Sequence, residues 1–498
     1  MALPVVGRLS WQDYCRLTLA IFILLIEGIL RFIVRLIPTT VIDFLRYCMA
    51  RYLLTFSSAY FVTKLSVVCF RFVPQIFKGS KNERIKEMDD SIVNAKTTPQ
   101  LIKYHGYGCE EHVVLTADGY YLVLYRIIRI PNTNADVHGA AVSNGSGYPS
   151  PQQSTSSTSR RRSTPTILVL HGAIMCSEIW VCHRNSRKNI VCNLADEGYD
   201  VWLANRRGCK YSQKHTLYKP DNVKFWDFSM DETIIHDVPA QIEYVLGVTG
   251  NKSLTLMGFS QGAAEIFGAL SVNRRLEKRV DCVVAFSATA KPPTPKNALI
   301  HSMVHWTPEI VYLLFGRKSL LSSVYFWQSI LSVRAMSWLI DTSMYLLFGW
   351  RSMNIRPRDR YQLFGHLYST ASVKQVAHWF QIMRAGRFQM FDDSPSGFSK
   401  ARIIPAFPMK NNKVPKLLIM GMKDCLVEPE GMMAELSNAT IIECKDYEHM
   451  DTIWANDADV KVFRPALEFI RKHLQSKEVR GSTRSLCDSD VFQWPVNR

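Results

Sequence analysis

The segment Gly258-Phe259-Ser260-Gln261-Gly262 constrains this chain more than any other. It follows the apolar run 253–257 (SLTLM) and leads into the helix-forming stretch 261–271 (QGAAEIFGALS). A strand, a tight turn carrying Ser and then a helix form a nucleophile elbow, in which the hydroxyl stands clear of the sheet edge. Small residues two before and two after the Ser let strand and helix approach without a Cβ clash. With 25 Gly in 498 residues, G-x-S-x-G is expected by chance about 0.1 times. The ordinary alternative is a Ser in a Gly-rich turn, so the flanking context decides. A nucleophilic Ser260 implies cleavage or transfer of acyl groups.

Such a nucleophile needs helpers in a fixed chain order. Upstream, 166–170 (TILVL) reads as a buried strand ending in His171-Gly172-Ala173. The backbone N–H of Ala173 is one expected oxyanion donor. The N–H of Gln261, at a helix start where amides lack partners, is the other. Downstream, the strand 416–421 (KLLIMG) is followed by Asp424, and the strand 440–443 by His449. Ser260, Asp424, His449 is the order of α/β-hydrolases. Asp424 would fix the imidazole tautomer, and His449 would take and return the Ser260 proton. Glu428, Asp446 and Glu448 are rival acids, ranked lower because they sit later in the loops or too near His449 in sequence. His473 belongs to a basic helix end, a capping pattern.

Four further segments carry a resemblance. The stretch from Tyr107 to Tyr120 (YGCEEHVVLTADGY), the stretch 198–208 (GYDVWLANRRG), the stretch 225–232 (FWDFSMDE) and the region from His449 through Ile453-Trp454-Ala455 are similar in register to motifs of the acid lipase family of α/β-hydrolases. Within that family the chain resembles the fungal lipid-droplet steryl ester hydrolases, also in its opening from Gly7 to Pro38. Coverage runs from about Leu101 to His473. The resemblance implies Ser260, Asp424 and His449 as catalytic residues and Ala173 and Gln261 as oxyanion donors. It also implies cleavage of long-chain fatty acyl esters of sterols. The family commonly has a larger apolar residue at 173 and a Ser where Arg206 stands. The expected effect of the Ala at 173 is a wider acyl pocket or a looser oxyanion loop.

Composition fits one large catalytic domain with insertions. Twelve Cys occur without a C-x-x-C pair or disulfide-framework spacing, which favours reduced thiols and cytosolic exposure. No metal motif or phosphate loop is present, and the expected chemistry needs no cofactor. Formal charge is +17, without a nucleic-acid module, so an anionic lipid surface is the better partner. Residues 291–413 hold sixteen Lys and Arg against five Asp and Glu, about +11 net, amid many aromatics.

The expected organisation has five parts. Residues 1–79 form a hydrophobic membrane or lipid-droplet anchor. Its apolar run 17–26 is only about 15 Å long as a helix, and Glu27, Arg31 and Arg35 follow, so a hairpin or interfacial helices suit it better than a clean span. Residues 80–291 and 415–476 form the hydrolase core. Residues 132–164 make a low-complexity flexible loop with a basic triplet before Ser163, read as a solvated charge run in preference to a kinase site. Residues 292–414 form a helical cap and 477–498 a polar tail. The expected location is the lipid droplet or endoplasmic-reticulum membrane, with the catalytic domain facing the cytosol. Rival readings are a triacylglycerol lipase with the same site, a catalytically silent lipid-surface scaffold and an acyltransferase.

Overall fold

The structure is a computed structural model that describes residues 95–130, 164–293, 298–325, 333–394 and 403–487, with Ile92 and Gln328. The expected anchor 1–79 and all but the last residue of the loop 132–164 lie outside the described residues.

The first helix, α1 (Thr98–Tyr104), is capped by the Thr97 side chain on Gln100 N–H, with Pro in its first turn. Two long strands follow, β1 (Gly108–Leu115) and β2 (Tyr120–Ile128), paired antiparallel. Then come β3 (Thr166–Leu170), α2 (Ile190–Asp196), β4 (Asp200–Ala204), β5 (Lys214–His215), α3 (Val238–Thr249) and β6 (Leu254–Phe259). Helix α4 (Gln261–Val272) leaves the elbow, and β7 (Val280–Phe286) returns to the sheet. The segment between β7 and the next sheet strand holds α5 (Ala298–Val304), α6 (Pro308–Phe315), β8 (Ser319–Leu320), α7 (Val333–Phe348), α8 (Pro357–Gly365), β9 (Ala371–Ser372) and α9 (Val373–Ala385). The chain closes with β10 (Lys416–Gly421), α10 (Pro429–Glu435), β11 (Ala439–Cys444) and α11 (Arg464–Cys487). That last helix runs past Ser476, where the polar tail was expected to begin.

The described strands form a mixed sheet in the order β1-β2-β4-β3-β6-β7-β10-β11, with β5 paired to β2. From β4 to β11 every neighbouring pair is parallel. The parallel strands are apolar on both faces because helices cover both. Ile167, Val169, Met257, Val284 and Ile419 point into one core with α2 and α11. Leu168, Leu170, Leu256, Val283 and Leu418 point into the other with α3 and α4. Each such side chain, fully buried, stabilises the fold by about 1.5–3 kcal/mol. A third, smaller core lies within the inserted helices, around Val304, Val311, Val373 and Phe380.

The strands expected at 166–170 and 416–421 appear with those bounds, 440–443 lies inside β11, and the run 253–257 begins one residue before β6. Among the described residues, no helix is long and apolar enough to cross a membrane.

Candidate active site

Ser260 sits between β6 and α4 at φ 52°, ψ −118°, a conformation that L-residues adopt only under constraint. Two glycines permit it. A Cβ on Gly258 would lie 2.7 Å from Ala263 N, and one on Gly262 would lie 2.6 Å from His171 O. Strand, helix and the end of β3 therefore touch backbone to backbone at the elbow. The Ser260 N–H donates to Phe286 O at 2.9 Å, tying the turn to β7. The Ser260 hydroxyl caps no helix amide, so it is not consumed structurally.

Asp424 and His449 arrive from the ends of β10 and β11. A Cβ on Gly421 would collide with Tyr447 O, so glycine lets these two loops meet. His449 Nδ1 lies 2.5 Å from Asp424 Oδ2, both side chains being buried. The other Asp424 oxygen accepts from Leu426 N–H at 2.9 Å, which fixes the carboxylate. His449 is positioned further by Ser287, whose hydroxyl donates to His449 O at 2.7 Å. With Nδ1 occupied by Asp424, Nε2 is the nitrogen left to serve Ser260. The elbow touches His449 through Phe259, the neighbour of Ser260, whose ring centroid lies 5.0 Å from that of His449. Among the described residues the pair itself is not hydrogen-bonded.

The rival acids are occupied elsewhere. Glu448 accepts from the N–H groups of Arg351 and Ser352. Asp446 pairs with Lys423 at the surface. The Glu428 carboxylate lies beside Gly431 at the start of α10.

Ala173 follows His171 and Gly172 on the loop after β3. A Cβ on Gly172 would lie 2.8 Å from the Phe259 ring, so the loop lies flat against the elbow. Ile174 adopts φ 48°, and its carbonyl accepts from Ser369 N–H at 2.7 Å. Gln261 begins α4, where its N–H sits at the positive end of the helix dipole. The structure thus brings the Ser260 elbow, the Asp424–His449 pair, Ala173 and Gln261 to one edge of the sheet.

The described residues hold no cluster of His, Cys, Asp and Glu placed to bind a metal ion. Two family descriptions match the chain: an alpha/beta hydrolase fold over residues 165–455 and a partial alpha/beta-hydrolase lipase region over 98–184. The chain belongs to the α/β-hydrolase lipases. A probable lipase of Schizosaccharomyces pombe is 33% identical over 473 residues, covering 94% of this chain and 93% of that protein. A second probable lipase of that yeast is 34% identical over 395 residues, covering 78% and 83%. Gastric triacylglycerol lipase of Rattus norvegicus is 30% identical over 386 residues, covering 74% and 90%. The general activity is that of a lipase, an ester hydrolase.

In this lipase the inserted helices supply site residues that no sequence signal marked. Trp350, just after α7, stacks on the His449 ring with centroids 5.0 Å apart and planes 1° from parallel. Phe348 stacks on Trp350 in turn, at 4.4 Å. Trp379 on α9 donates its indole N–H to Gln261 Oε1 at 2.8 Å. The Trp350–His449 and Trp379–Gln261 contacts join positions far apart in the chain, and apolar patterning alone cannot distinguish them from ordinary packing.

Proposed function

We propose that this lipase hydrolyses long-chain fatty acyl esters of sterols at a lipid-droplet or membrane surface, through an acyl-enzyme on Ser260. The observation that carries the hydrolytic reading is the buried Asp424–His449 pair beside the strained Ser260 elbow. Asp424 holds His449 with Nδ1 protonated, so Nε2 is a base. Ser260 Oγ gives its proton to Nε2 as it attacks the ester carbonyl. The oxyanion accepts hydrogen bonds from the Ala173 and Gln261 amides. The bond to the sterol oxygen then breaks, and His449 returns its proton to that oxygen. Water, deprotonated by His449, releases the fatty acid and restores Ser260.

The sterol preference is supported by the resemblance to the fungal steryl ester hydrolases, which includes the opening from Gly7 to Pro38. A second reading, triacylglycerol hydrolysis by the same residues, draws on the gastric triacylglycerol lipases of rat and human, which are 30% and 28% identical. Purified protein on cholesteryl oleate and triolein emulsions separates the two: faster turnover of triolein would overturn the sterol assignment. In the same preparation Ser260→Ala should lose both activities and all labelling by a fluorophosphonate.

The inserted helices act as a cap over the site, and the surface partner is an anionic lipid layer. Helix α7 supports this with exposed Trp338, Leu339, Tyr345 and Leu346, and with Arg334 and Arg351 exposed nearby. A cytosolic catalytic domain is supported by the state of two Asn-x-Ser/Thr sites. Asn251 Nδ2 uses both hydrogens, on Thr164 O and Thr166 Oγ1, so a glycan there would displace one of these bonds, and Asn438 Nδ2 donates to Lys413 O. Removal of residues 1–79 should shift the protein from droplets and membranes to the soluble fraction. Unchanged retention would count against the anchor.

A further inference from the structure

Behind the oxyanion loop, on the side away from the Asp424–His449 pair, lies a buried ion pair that the proposed chemistry does not use. Arg206, in the loop after β4, pairs through Nη2 with Glu265 Oε2 on α4 at 3.4 Å. Both side chains are almost wholly buried. The same Nη2 donates to the carbonyl of His171. The Arg206 backbone N–H donates to His171 Nε2 at 3.3 Å. His171 Nδ1 therefore carries the ring proton, 3.0 Å from Gly172 O. Burial and the neighbouring guanidinium hold His171 well below the usual histidine range, which keeps this tautomer neutral.

The other half of the pair reaches the other donor. Glu265 Oε1 accepts from Gln261 Nε2 at 2.8 Å and from Thr233 Oγ1 at 3.0 Å. Gln261 Oε1 in turn accepts from Trp379 on α9. One connected set of buried bonds thus runs from the loop that carries Ala173, through Arg206 and Glu265, to the residue that carries the second oxyanion amide.

As a stabilising device the arrangement is poor. Arg206 Nε and Nη1 are buried without a protein partner, and Arg206 lines a cavity of ≈ 10 Å³. A buried ion pair generally recovers little more than its desolvation cost, and apolar side chains of equal volume often serve stability better. What the pair does supply is geometry. It fixes two backbone segments relative to each other, and an oxyanion hole works only when both amides converge on one point.

We infer that Arg206 and Glu265 are positioning residues that lock the Ala173 and Gln261 amides into one oxyanion hole, with Gln261 further linked to the inserted helices through Trp379. The inference rests on the reading of Ser260 as an acyl-forming nucleophile. Neither residue touches the substrate, so both act on the transition state through the two amides.

The test uses the full chain with a soluble ester, 4-nitrophenyl butyrate, and active sites counted by fluorophosphonate titration. Arg206→Met combined with Glu265→Gln removes both charges together and keeps an acceptor for Gln261. Expected is a fall in kcat per titrated site of about tenfold or more with KM nearly unchanged. An alkylboronic acid, which forms a tetrahedral adduct on the Ser, should bind correspondingly more weakly. A merely structural pair would lower the melting temperature and leave kcat per site and boronate affinity alone, and that result overturns the inference. Should the double variant not fold, Trp379→Phe removes only the indole N–H. A kcat loss of about threefold at constant KM supports the link, and an unchanged kcat overturns it. If wild-type protein turns over the ester yet carries no label on Ser260, the nucleophile reading itself is wrong and the positioning role falls with it.

Discussion

Ser260 is held where its backbone would not go unaided, and the constraint is supplied by residues without side chains. Gly262 is the tightest case, because its Cα faces the carbonyls of Leu170 and His171 at the end of β3. Gly262→Ala would place a methyl 2.6 Å from His171 O. Either β3 or α4 must then retreat, and the Ala173 and Gln261 amides separate. We expect kcat to fall by about a hundredfold with far-UV circular dichroism unchanged. Near-normal turnover would show that the elbow tolerates the displacement. At this scale the Ser, Asp and His were readable because each follows a strand, and chain order alone limits the choice. The acid was the least determined. Asp424 stands apart from Glu428, Asp446 and Glu448 only through the meeting of two loops at Gly421 and Tyr447. Trp350 and Glu265 carried no readable signal, and Arg206 stood out only as a departure from the family pattern, since a Trp in an apolar insertion and a charge pair separated by more than fifty positions look like ordinary packing and ordinary surface.

The family motifs turn out to be scaffolding at the level of elements. Arg207, fully buried, donates to Asp237 through its backbone and Nε, binds both oxygens of Asp118 and lies 4.1 Å over the Tyr120 ring. One side chain thus joins the β1–β2 turn, the loop after β4 and the start of α3. Ser229 and Glu232 form a capping box that begins the next helical turn. Asp231, between them, accepts from Phe391 N–H at 2.9 Å and so ties that turn to the chain after α9. Burial pushes its carboxyl up to about 6 from an ordinary 3.8, against the opposing pull of the Phe391 amide. The folded state therefore holds a proton that the unfolded state releases first. The stability this supplies is complete below pH 4 and is lost as pH rises through about 6. Asp231→Asn keeps the acceptor and removes the charge. Its stability relative to wild type should be near zero at pH 4 and favourable by about 2–3 kcal/mol at pH 8, measured by urea unfolding. A difference independent of pH would mean that Asp231 is ionised throughout. The apolar runs marked where several strands lie, but the link between the β1–β2 turn, the loop after β4 and α3 runs through Arg207, whose partners lie far from it in the chain.

On the scale of the whole molecule, the inserted segment touches the oxyanion loop, the start of α4 and His449. Ser369 holds Ile174, Trp379 holds Gln261, Trp350 covers His449, and His366 pairs with buried Glu178 beyond the oxyanion loop. A helical cap was expected over 292–414, yet its contacts with the site are all long-range and were not legible. Helix α7 is apolar on two faces. Met336, Ile340 and Met344 are buried, while Trp338, Leu339, Tyr345 and Leu346 face outward, at spacings that form one stripe along the helix. An outward apolar stripe of this kind marks a surface that meets a second apolar environment. In the proposed function that environment is the lipid surface, and α7 ends two residues before the Trp350 that covers His449. Trp338→Glu with Leu346→Glu replaces two of the outward side chains, each worth about 1.5–3 kcal/mol when buried. Turnover of an emulsified long-chain ester and binding to anionic vesicles should fall at least about tenfold. Turnover of dissolved 4-nitrophenyl butyrate should stay within about twofold, because neither residue touches the site. Equal losses on both substrates would mean that the stripe supports the fold, and no loss on either would mean that lipid meets the enzyme elsewhere.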